Sequence, residues 1–224
     1  MKLKIGIFTV ARSDYGILKK TIIKLENDKK FNVNLYIGSA HDTKIFGSTK
    51  KEINKINLKD KKYYKFKYKG SSINSIIKYF AKTVQETETL VKNDNLNAAL
   101  ILGDRYEMLA ISFVLLNLNI PIIHLCGGSI TRGSLDDIYR FSISKMASLH
   151  LVETAHHEKN LKSSNIKKNI HIVGAPALEN IIRKKDTNYL NNKYNLNLLK
   201  KKPIVCCFHP ETNLTLKNNL TNLS

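Results

Sequence analysis

The chain has 224 residues, of which 42% are apolar, a usual proportion for a globular protein. No apolar run approaches the roughly 20 residues that a membrane-spanning helix needs, and the opening MKLKIGIFTV predicts a strand rather than a secretory leader. We therefore expect a cytoplasmic protein without a membrane partner. The formal charge of +19 comes mainly from lysines scattered among Asn and Ile, without the aromatic-interleaved stripe of a nucleic-acid surface, so no nucleic-acid partner is predicted. The three cysteines lack metal-ligand spacing, and no metal site is predicted.

Short apolar runs alternate with amphipathic segments along most of the chain. This alternation predicts an α/β fold with a doubly wound, mostly parallel, Rossmann-like sheet. Strands are predicted at Lys4–Val10, Asn32–Ile37, Tyr63–Tyr68, Ala98–Leu102, Ile120–Leu125, Leu149–Val152 and Ile170–Val173. Helices are predicted at Ile17–Glu26, Ser71–Asn93, Tyr106–Asn117, Asp136–Ala147 and Ala155–Ser163, with one more opening at Pro176.

The composition changes after residue 185. Residues 1–185 are predicted to form one Rossmann-like domain, and the Lys/Asn-rich residues 186–202 a connecting helix or linker. Residues 203–224 contain one more apolar strand, Pro203–Phe208, and an Asn/Leu/Thr-rich tail that cannot build a core. We therefore expect an N-terminal domain followed by the first strand of a truncated second domain.

Two of the predicted strands end in loops that carry carboxylates and guanidinium groups together. Asp104 and Arg105 follow the first, and Asp136, Asp137 and Arg140 follow the second. Ligands of parallel α/β sheets bind at the carboxyl ends of the strands, and guanidinium groups hold phosphates bidentately. This edge therefore predicts a site for an anionic ligand that also needs acid–base chemistry.

Structural interpretations stand beside these functional ones. Asp104 is also placed to cap the following helix, and Asp137 with Arg140 to form a surface ion pair. The Gly127–Gly128 pair suits a tight turn, but its place after a strand favours a backbone that approaches a ligand. His124 lies on an apolar strand and is predicted to be a packed core histidine.

Six blocks, in this order along the chain, resemble the hydrolysing branch of the UDP-N-acetylglucosamine 2-epimerase family. They are TVARSDYG, HDTKIFGSTKKEI, LGDRYEMLA, IPIIHLCGGSITRGSLDDIYRFSISKMASLH, IVGAPALE and FHPET. The resemblance implies the N-terminal half of a two-domain, glycosyltransferase-B-like fold that binds a UDP-sugar, needs no cofactor and assembles as a homodimer or homotetramer. It implies a reaction in which a base removes the C2 proton while UDP leaves C1, and water then adds to the glycal with inversion at C2.

The resemblance also assigns roles to individual residues. Asp104 and Asp136 match acidic catalytic positions, and His209 matches a sugar- or phosphate-side histidine that we group with them. The predicted substrate-binding residues are Arg12, Arg105, Gly127, Gly128 and Arg140. Asp136 precedes Arg140 by four residues, which predicts that the two groups share one helical face.

One departure from the family pattern concerns the HLCGGS block. Most relatives carry a carboxylate at the position of Cys126 or Ser129, where this chain has a thiol and a hydroxyl. Either a neighbouring carboxylate, Asp137 or Glu107, covers the role, or the chain handles a different sugar, or it is impaired. The predicted function is conversion of UDP-N-acetylglucosamine to N-acetylmannosamine and UDP. The alternatives are the same reaction on UDP-N,N'-diacetylbacillosamine, for legionaminic acid, and a truncated, inactive nucleotide-sugar-binding domain.

Overall fold

The structure is a computed structural model that describes residues 2–43, 49–67, 70, 72–181, 192–194 and 204. Residues 1–180 form one compact unit, and the residues from Ile181 onward form a second. The predicted linker at 186–202 and strand at 203–208 lie almost entirely outside the described residues, so the predicted domain boundaries stay predictions. None of the described helices is long and apolar enough to cross a membrane.

The first unit contains a seven-stranded, fully parallel sheet of order β3-β2-β1-β4-β5-β6-β7. The predicted doubly wound fold is therefore confirmed. The strand order reverses direction between β1 and β4, which is the point where such sheets bind ligands. The strands are β1 (Leu3–Thr9), β2 (Phe31–Ile37), β3 (Asp60–Tyr63), β4 (Ala98–Leu102), β5 (Ile122–Leu125), β6 (Leu149–Val152) and β7 (Ile170–Ile172). The helices are α1 (Arg12–Asn27), α2 (Lys50–Asn54), α3 (Ile73–Val91), α4 (Tyr106–Asn117), α5 (Asp136–Met146) and α6 (Ala155–Ser163).

Apolar side chains of the sheet pack into two main cores, one on each face. Alternate residues of a strand point to opposite faces, so Ile7 of β1 joins the core built with α1, whereas Phe8 joins the core built with α4. Leu18 of α1 and Met108 of α4 are fully buried in these cores. This packing fixes the first turns of α1 and α4 beside the carboxyl ends of β1 and β4.

The third strand lies earlier than the sequence predicted. Strand β3 is the polar segment Asp60–Tyr63, which pairs with β2 in the register Tyr36↔Lys62, and not Tyr63–Tyr68. Tyr64 and Phe66 instead pack against α3: the Tyr64 hydroxyl lies 2.7 Å from Thr87 Oγ1, and Phe66 stacks edge-on against Tyr79. The aromatic alternation therefore marks a helix contact after the strand.

Helix α1 and the helix that opens at Pro176 differ most from the prediction. Helix α1 begins at Arg12, five residues before the predicted start, because the Asp14 carboxylate accepts hydrogen bonds from the backbone N–H groups of Val10 (2.6 Å) and Ala11 (3.0 Å). Pro176 opens only a 3₁₀ helix, Pro176–Asn180.

Candidate functional site

A cleft of about 260 Å³ opens at the carboxyl ends of β4, β5 and β6, beside the first turn of α1. We call it the switch-point cleft, because it lies where the strand order reverses. It gathers carboxylates and guanidinium groups from four separate segments of the chain. Its lining residues are Ser13, Asp14, Ile17, Leu102, Gly103, Asp104, Arg105, Cys126, Ser129, Arg140 and Glu153.

Arg140 joins three segments of the polypeptide at the cleft. Its side chain is 5% exposed, and it forms ion pairs with Asp104, after β4, and with Asp137, in the first turn of α5. Its Nη1 also donates to the Ser129 carbonyl at 2.7 Å, and its Nη2 lies 3.4 Å from Thr131 Oγ1. The guanidinium therefore holds the β4 and β5 loops together around Asp104. Its predicted contact with substrate stays a prediction.

Asp136 and Arg140 lie four residues apart on α5, but the ion pair of Arg140 within this helix is with Asp137. Asp137 also accepts a hydrogen bond from the Thr131 backbone at 2.7 Å, which holds the preceding loop against the first turn of α5. Asp136 does not line the cleft; its backbone N–H bonds Ser134 Oγ at 3.1 Å. The alternative of an ion pair between Asp137 and Arg140 is therefore confirmed, but its arginine is buried rather than on the surface. The predicted catalytic role of Asp136 stays a prediction.

Arg105 presents a fixed positive charge to the cleft. The fully buried Glu107 carboxylate accepts from it twice, from Nε at 3.2 Å and from Nη2 at 2.8 Å. Burial alone would lower the pKa of Arg105, but the charge and hydrogen bonds of Glu107 raise it above its ordinary value. Since the guanidinium remains 38% exposed, it is available to an anion. Glu107 itself does not line the cleft.

Arg12 is the exposed first residue of α1, at the positive end of the helix. In residues 2–43, 49–67 and 72–181 no ion pair or side-chain hydrogen bond engages it. Helix N-termini bind anions through their free N–H groups, and the first turn of α1 reaches the cleft through Ser13, whereas Arg12 is not among its lining residues. The predicted nucleotide contact of Arg12 stays a prediction.

His124 is a buried histidine, as predicted, and it supports the loop after β4. Its Nε2 lies 2.8 Å from the Gly103 carbonyl and its Nδ1 2.9 Å from Ser144 Oγ. Burial lowers the pKa of His124 to about 4, so the ring is neutral at physiological pH. A neutral ring donates from Nε2 to Gly103 and accepts at Nδ1 from Ser144. Gly103, directly before Asp104, is thereby anchored to β5.

Gly127 and Gly128 are buried behind the cleft rather than in its lining. Gly128 has φ +78, and a Cβ there would lie 2.3 Å from the His157 carbonyl of α6. The Gly128 carbonyl accepts a hydrogen bond from Asn160 at 2.9 Å. The structure thus gives Gly128 a packing role against α6. The predicted contact of both glycines with substrate stays a prediction.

Glu153 is a candidate that the sequence analysis missed. It directly follows β6 and lines the cleft beside Cys126 and Asp104. Burial, together with the charges of Glu153 and Asp104, raises the pKa of the Cys126 thiol to about 12, so the thiol stays protonated and donates to Glu153. A carboxylate placed directly after the apolar run LHLV was the available signal, because Asp104 follows its strand in a similar way.

His209 lies outside the described residues, so its catalytic role stays a prediction. Among the residues that the structure describes, no group of three His, Cys, Asp or Glu side chains is placed to hold a metal ion. A larger cavity, of about 480 Å³, lies at the ends of β2 and β3 and is lined largely by aromatic and lysine side chains. It lacks the guanidinium–carboxylate pairs that mark the switch-point cleft.

The parallel sheet and the charged cleft at its switch point define a Rossmann-like α/β domain with a candidate ligand site. The chain belongs to the UDP-N-acetylglucosamine 2-epimerase family, whose model matches residues 23–224. It is 32% identical over 222 residues to the GDP/UDP-N,N'-diacetylbacillosamine 2-epimerase (hydrolyzing) of Campylobacter jejuni, covering 97% of this chain and 56% of that protein.

Another relative and a solved structure also match this chain over about half of their own length. The UDP-N,N'-diacetylbacillosamine 2-epimerase (hydrolyzing) of Legionella pneumophila is 27% identical, with 92% of this chain and 55% of that protein covered. The crystal structure of UDP-GlcNAc 2-epimerase from Neisseria meningitidis, bound to UDP-GlcNAc, superposes with a TM-score of 0.65 at 15% identity. That match covers 80% of this chain and 47% of the other. The chain therefore spans about half the length of the relatives it matches.

Proposed function

We propose that this chain carries the acid–base part of the active site of a cytoplasmic, hydrolysing UDP-sugar 2-epimerase. The observation that carries the proposal is the switch-point cleft itself. There one space is bordered by the Asp104 carboxylate, by the 38% exposed Arg105 side chain and by Ser13 in the first turn of α1. A carboxylate beside cationic groups is the combination that elimination of a diphosphate from a sugar requires.

The proposed first half-reaction is the elimination of UDP, and each residue has a separate role in it. Asp104 takes the proton from C2 of the sugar, and the electron pair of that C–H bond forms the C1=C2 double bond. The C1–O bond breaks at the same time, and its electron pair leaves with the UDP oxygen. Arg105 and Arg12 stabilise the negative charge that develops on the diphosphate. Arg140 acts as a positioning residue, because it holds the Asp104 carboxylate.

The second half-reaction adds water across the double bond of the glycal and releases the 2-epimeric sugar. UDP-N-acetylglucosamine is the first candidate substrate by resemblance, with N-acetylmannosamine as the product, for sialic acid synthesis. UDP-N,N'-diacetylbacillosamine is the second candidate, for legionaminic acid, and the names of the Campylobacter and Legionella relatives support it. His209, Asp136 and a homodimeric or homotetrameric assembly remain part of the proposal on resemblance alone.

A product assay tests this proposal. The longest protein that the reading frame of this chain encodes is incubated with each UDP-sugar, and the products are identified by ¹H and ³¹P NMR. We expect UDP and a free sugar with inverted C2 from one of the two substrates. Glu88 is an exposed residue of α3, so Glu88→Gln serves as the control and should keep full activity.

Three other outcomes contradict the proposal in different ways. Release of a UDP-sugar with inverted C2 would assign the non-hydrolysing reaction. Absence of any product from either substrate would favour an inactive nucleotide-sugar-binding domain. Turnover by the 224-residue chain alone would contradict the expectation that a second domain completes the site.

A further inference from the structure

Most carboxylates around the switch-point cleft are already engaged in holding the fold. Asp14 caps the start of α1 through Val10 and Ala11, and it is 4% exposed. The two neighbouring carboxylates that the sequence offered as proton acceptors, Glu107 and Asp137, are paired with arginines and do not line the cleft. Asp104 pairs with Arg140 but lines the cleft, so Asp104 and Glu153 are the carboxylates left to act on a ligand.

Glu153 differs from Asp104 in what surrounds it. No lysine or arginine pairs with Glu153 among the described residues. Its neighbours are the Cys126 thiol, which donates a hydrogen bond to it, and His157, whose Nδ1 lies 3.5 Å from Glu153 Oε2. The side chain is 25% exposed, so the carboxylate is partly open to the cleft. A thiol is only a weak hydrogen-bond donor, so no strong partner engages this carboxylate among the described residues.

The positions of the two carboxylates suit a sugar held between them. Asp104 follows β4 and Glu153 follows β6, with Cys126 at the end of the intervening strand β5. Adjacent strands lie about 4.8 Å apart, so the ends of β4 and β6 are separated by about 10 Å. That spacing between the strand ends leaves room for one pyranose ring. Inversion at C2 needs proton-transfer groups on both faces of the ring, since the proton leaves one face and arrives at the other.

We propose that Glu153 is the proton donor of the second half-reaction, acting across the cleft from Asp104. The Glu153 carboxylic acid gives its proton to C2, and the electron pair of the C1=C2 double bond forms the new C2–H bond. The oxygen of a water molecule bonds to C1, and the proton that this water loses restores the Glu153 carboxylic acid. The step consumes one glycal and one water and yields one free sugar. This inference rests on the proposed function.

The experiment separates the two half-reactions in the variant Glu153→Gln. The longest protein encoded by the reading frame is supplied with the UDP-sugar that the wild type converts, and UDP, glycal and free sugar are measured by NMR. We expect free-sugar formation to fall at least about 100-fold, the lower range for loss of an acid–base group. UDP release should fall less than about 10-fold, with the glycal as the accumulating product.

A matched control is available on the following helix. Glu158 is 26% exposed, close to the value for Glu153, and pairs with Lys162 at 2.7 Å away from the cleft. Glu158→Gln should therefore leave both rates within 2-fold of the wild type. The conservative variant Glu153→Asp should recover part of the free-sugar formation, because it restores a carboxylate one methylene shorter.

The remaining results each overturn the inference. Free-sugar formation within 3-fold of the wild type would show that Glu153 donates no proton. An equal fall of UDP and sugar release without glycal would place Glu153 in the elimination or in the fold. A melting temperature more than 5 °C below that of Glu158→Gln would assign it a structural role. A wild type that releases no UDP from either substrate would instead refute the proposed function, and this inference with it.

Discussion

Replacement of Arg140 by alanine tests whether this arginine holds the loops of the cleft together. The guanidinium is 5% exposed and contacts Asp104, Asp137 and the Ser129 carbonyl. Arg140→Ala removes all of these contacts at once and leaves two carboxylates near each other without a counter-charge. Breaking a buried ion pair by deleting one partner costs about 3–5 kcal/mol.

The lower end of this range applies, because the two carboxylates are 29% and 24% exposed and water reaches them in part. We therefore expect a loss of about 3 kcal/mol in the free energy of unfolding. For a domain of this size, about 2–4 °C of melting temperature is lost per kcal/mol, which gives a fall of about 6–12 °C. Arg140→Lys keeps the charge but not the planar fork, and it should lose an intermediate amount.

Urea unfolding followed by circular dichroism measures these differences. Arg132→Ala is the matched control, because Arg132 is an exposed arginine on the loop that precedes α5, and its loss should change stability by less than about 0.5 kcal/mol. A free energy for Arg140→Ala within 1 kcal/mol of the control would refute the reasoning. Arg140 would then be available to bind substrate instead of holding the loops together.

Two further predictions concern the support of the cleft. His124 has a lowered pKa of about 4, so between pH 6.5 and pH 4 the unfolded chain binds a proton that the folded chain does not, and stability falls as the pH falls. Urea unfolding at pH 7 and pH 4 measures how much of the free energy of unfolding is lost on acidification. We expect this loss to be about 3 kcal/mol smaller in His124→Gln than in the wild type, and an equal loss would contradict the neutral buried ring. Gly128→Ala should lower the free energy of unfolding by about 3 kcal/mol, because its Cβ meets the His157 carbonyl at 2.3 Å. Gly174→Ala is the control with a similar φ and open space, so an equal loss in both variants would rule out the clash.

The sheet could be predicted from the sequence because its buried strands are apolar runs and the helices that connect them are amphipathic. The boundaries of β4, α4 and α6 agree with the prediction residue for residue. Strand β3 could not be placed, because Asp60–Tyr63 is a polar segment at the edge of the sheet and its identity depends on pairing with β2. The start of α1 was placed five residues too late, because the Asp14 cap that stabilises the helix from Arg12 was not recognised in the sequence.

The candidate site was predictable in position but not in its internal contacts. Asp104 and Arg105 could be placed at the cleft, because residues after parallel strands converge at one edge. Spacing along α5 placed Asp136 and Arg140 on one helical face, but it did not show that the ion pair within the helix forms between Arg140 and Asp137. Glu153 comes from a strand two positions along the sheet, so its proximity to Asp104 depends on tertiary structure that no local motif encodes.

Solvent labelling of the Asp104→Asn variant tests the central claim most directly. The longest protein encoded by the reading frame is assayed in D₂O with the UDP-sugar that the wild type converts, and the product is analysed by NMR and mass spectrometry. We expect the sugar that the wild type releases to carry one deuterium at C2. For Asp104→Asn we expect UDP release to fall at least about 100-fold, with no deuterium at C2 of the substrate that the variant leaves unreacted. A variant that still releases UDP within 10-fold of the wild type, and still places deuterium at C2, would contradict the role of Asp104 as the base at the switch-point cleft.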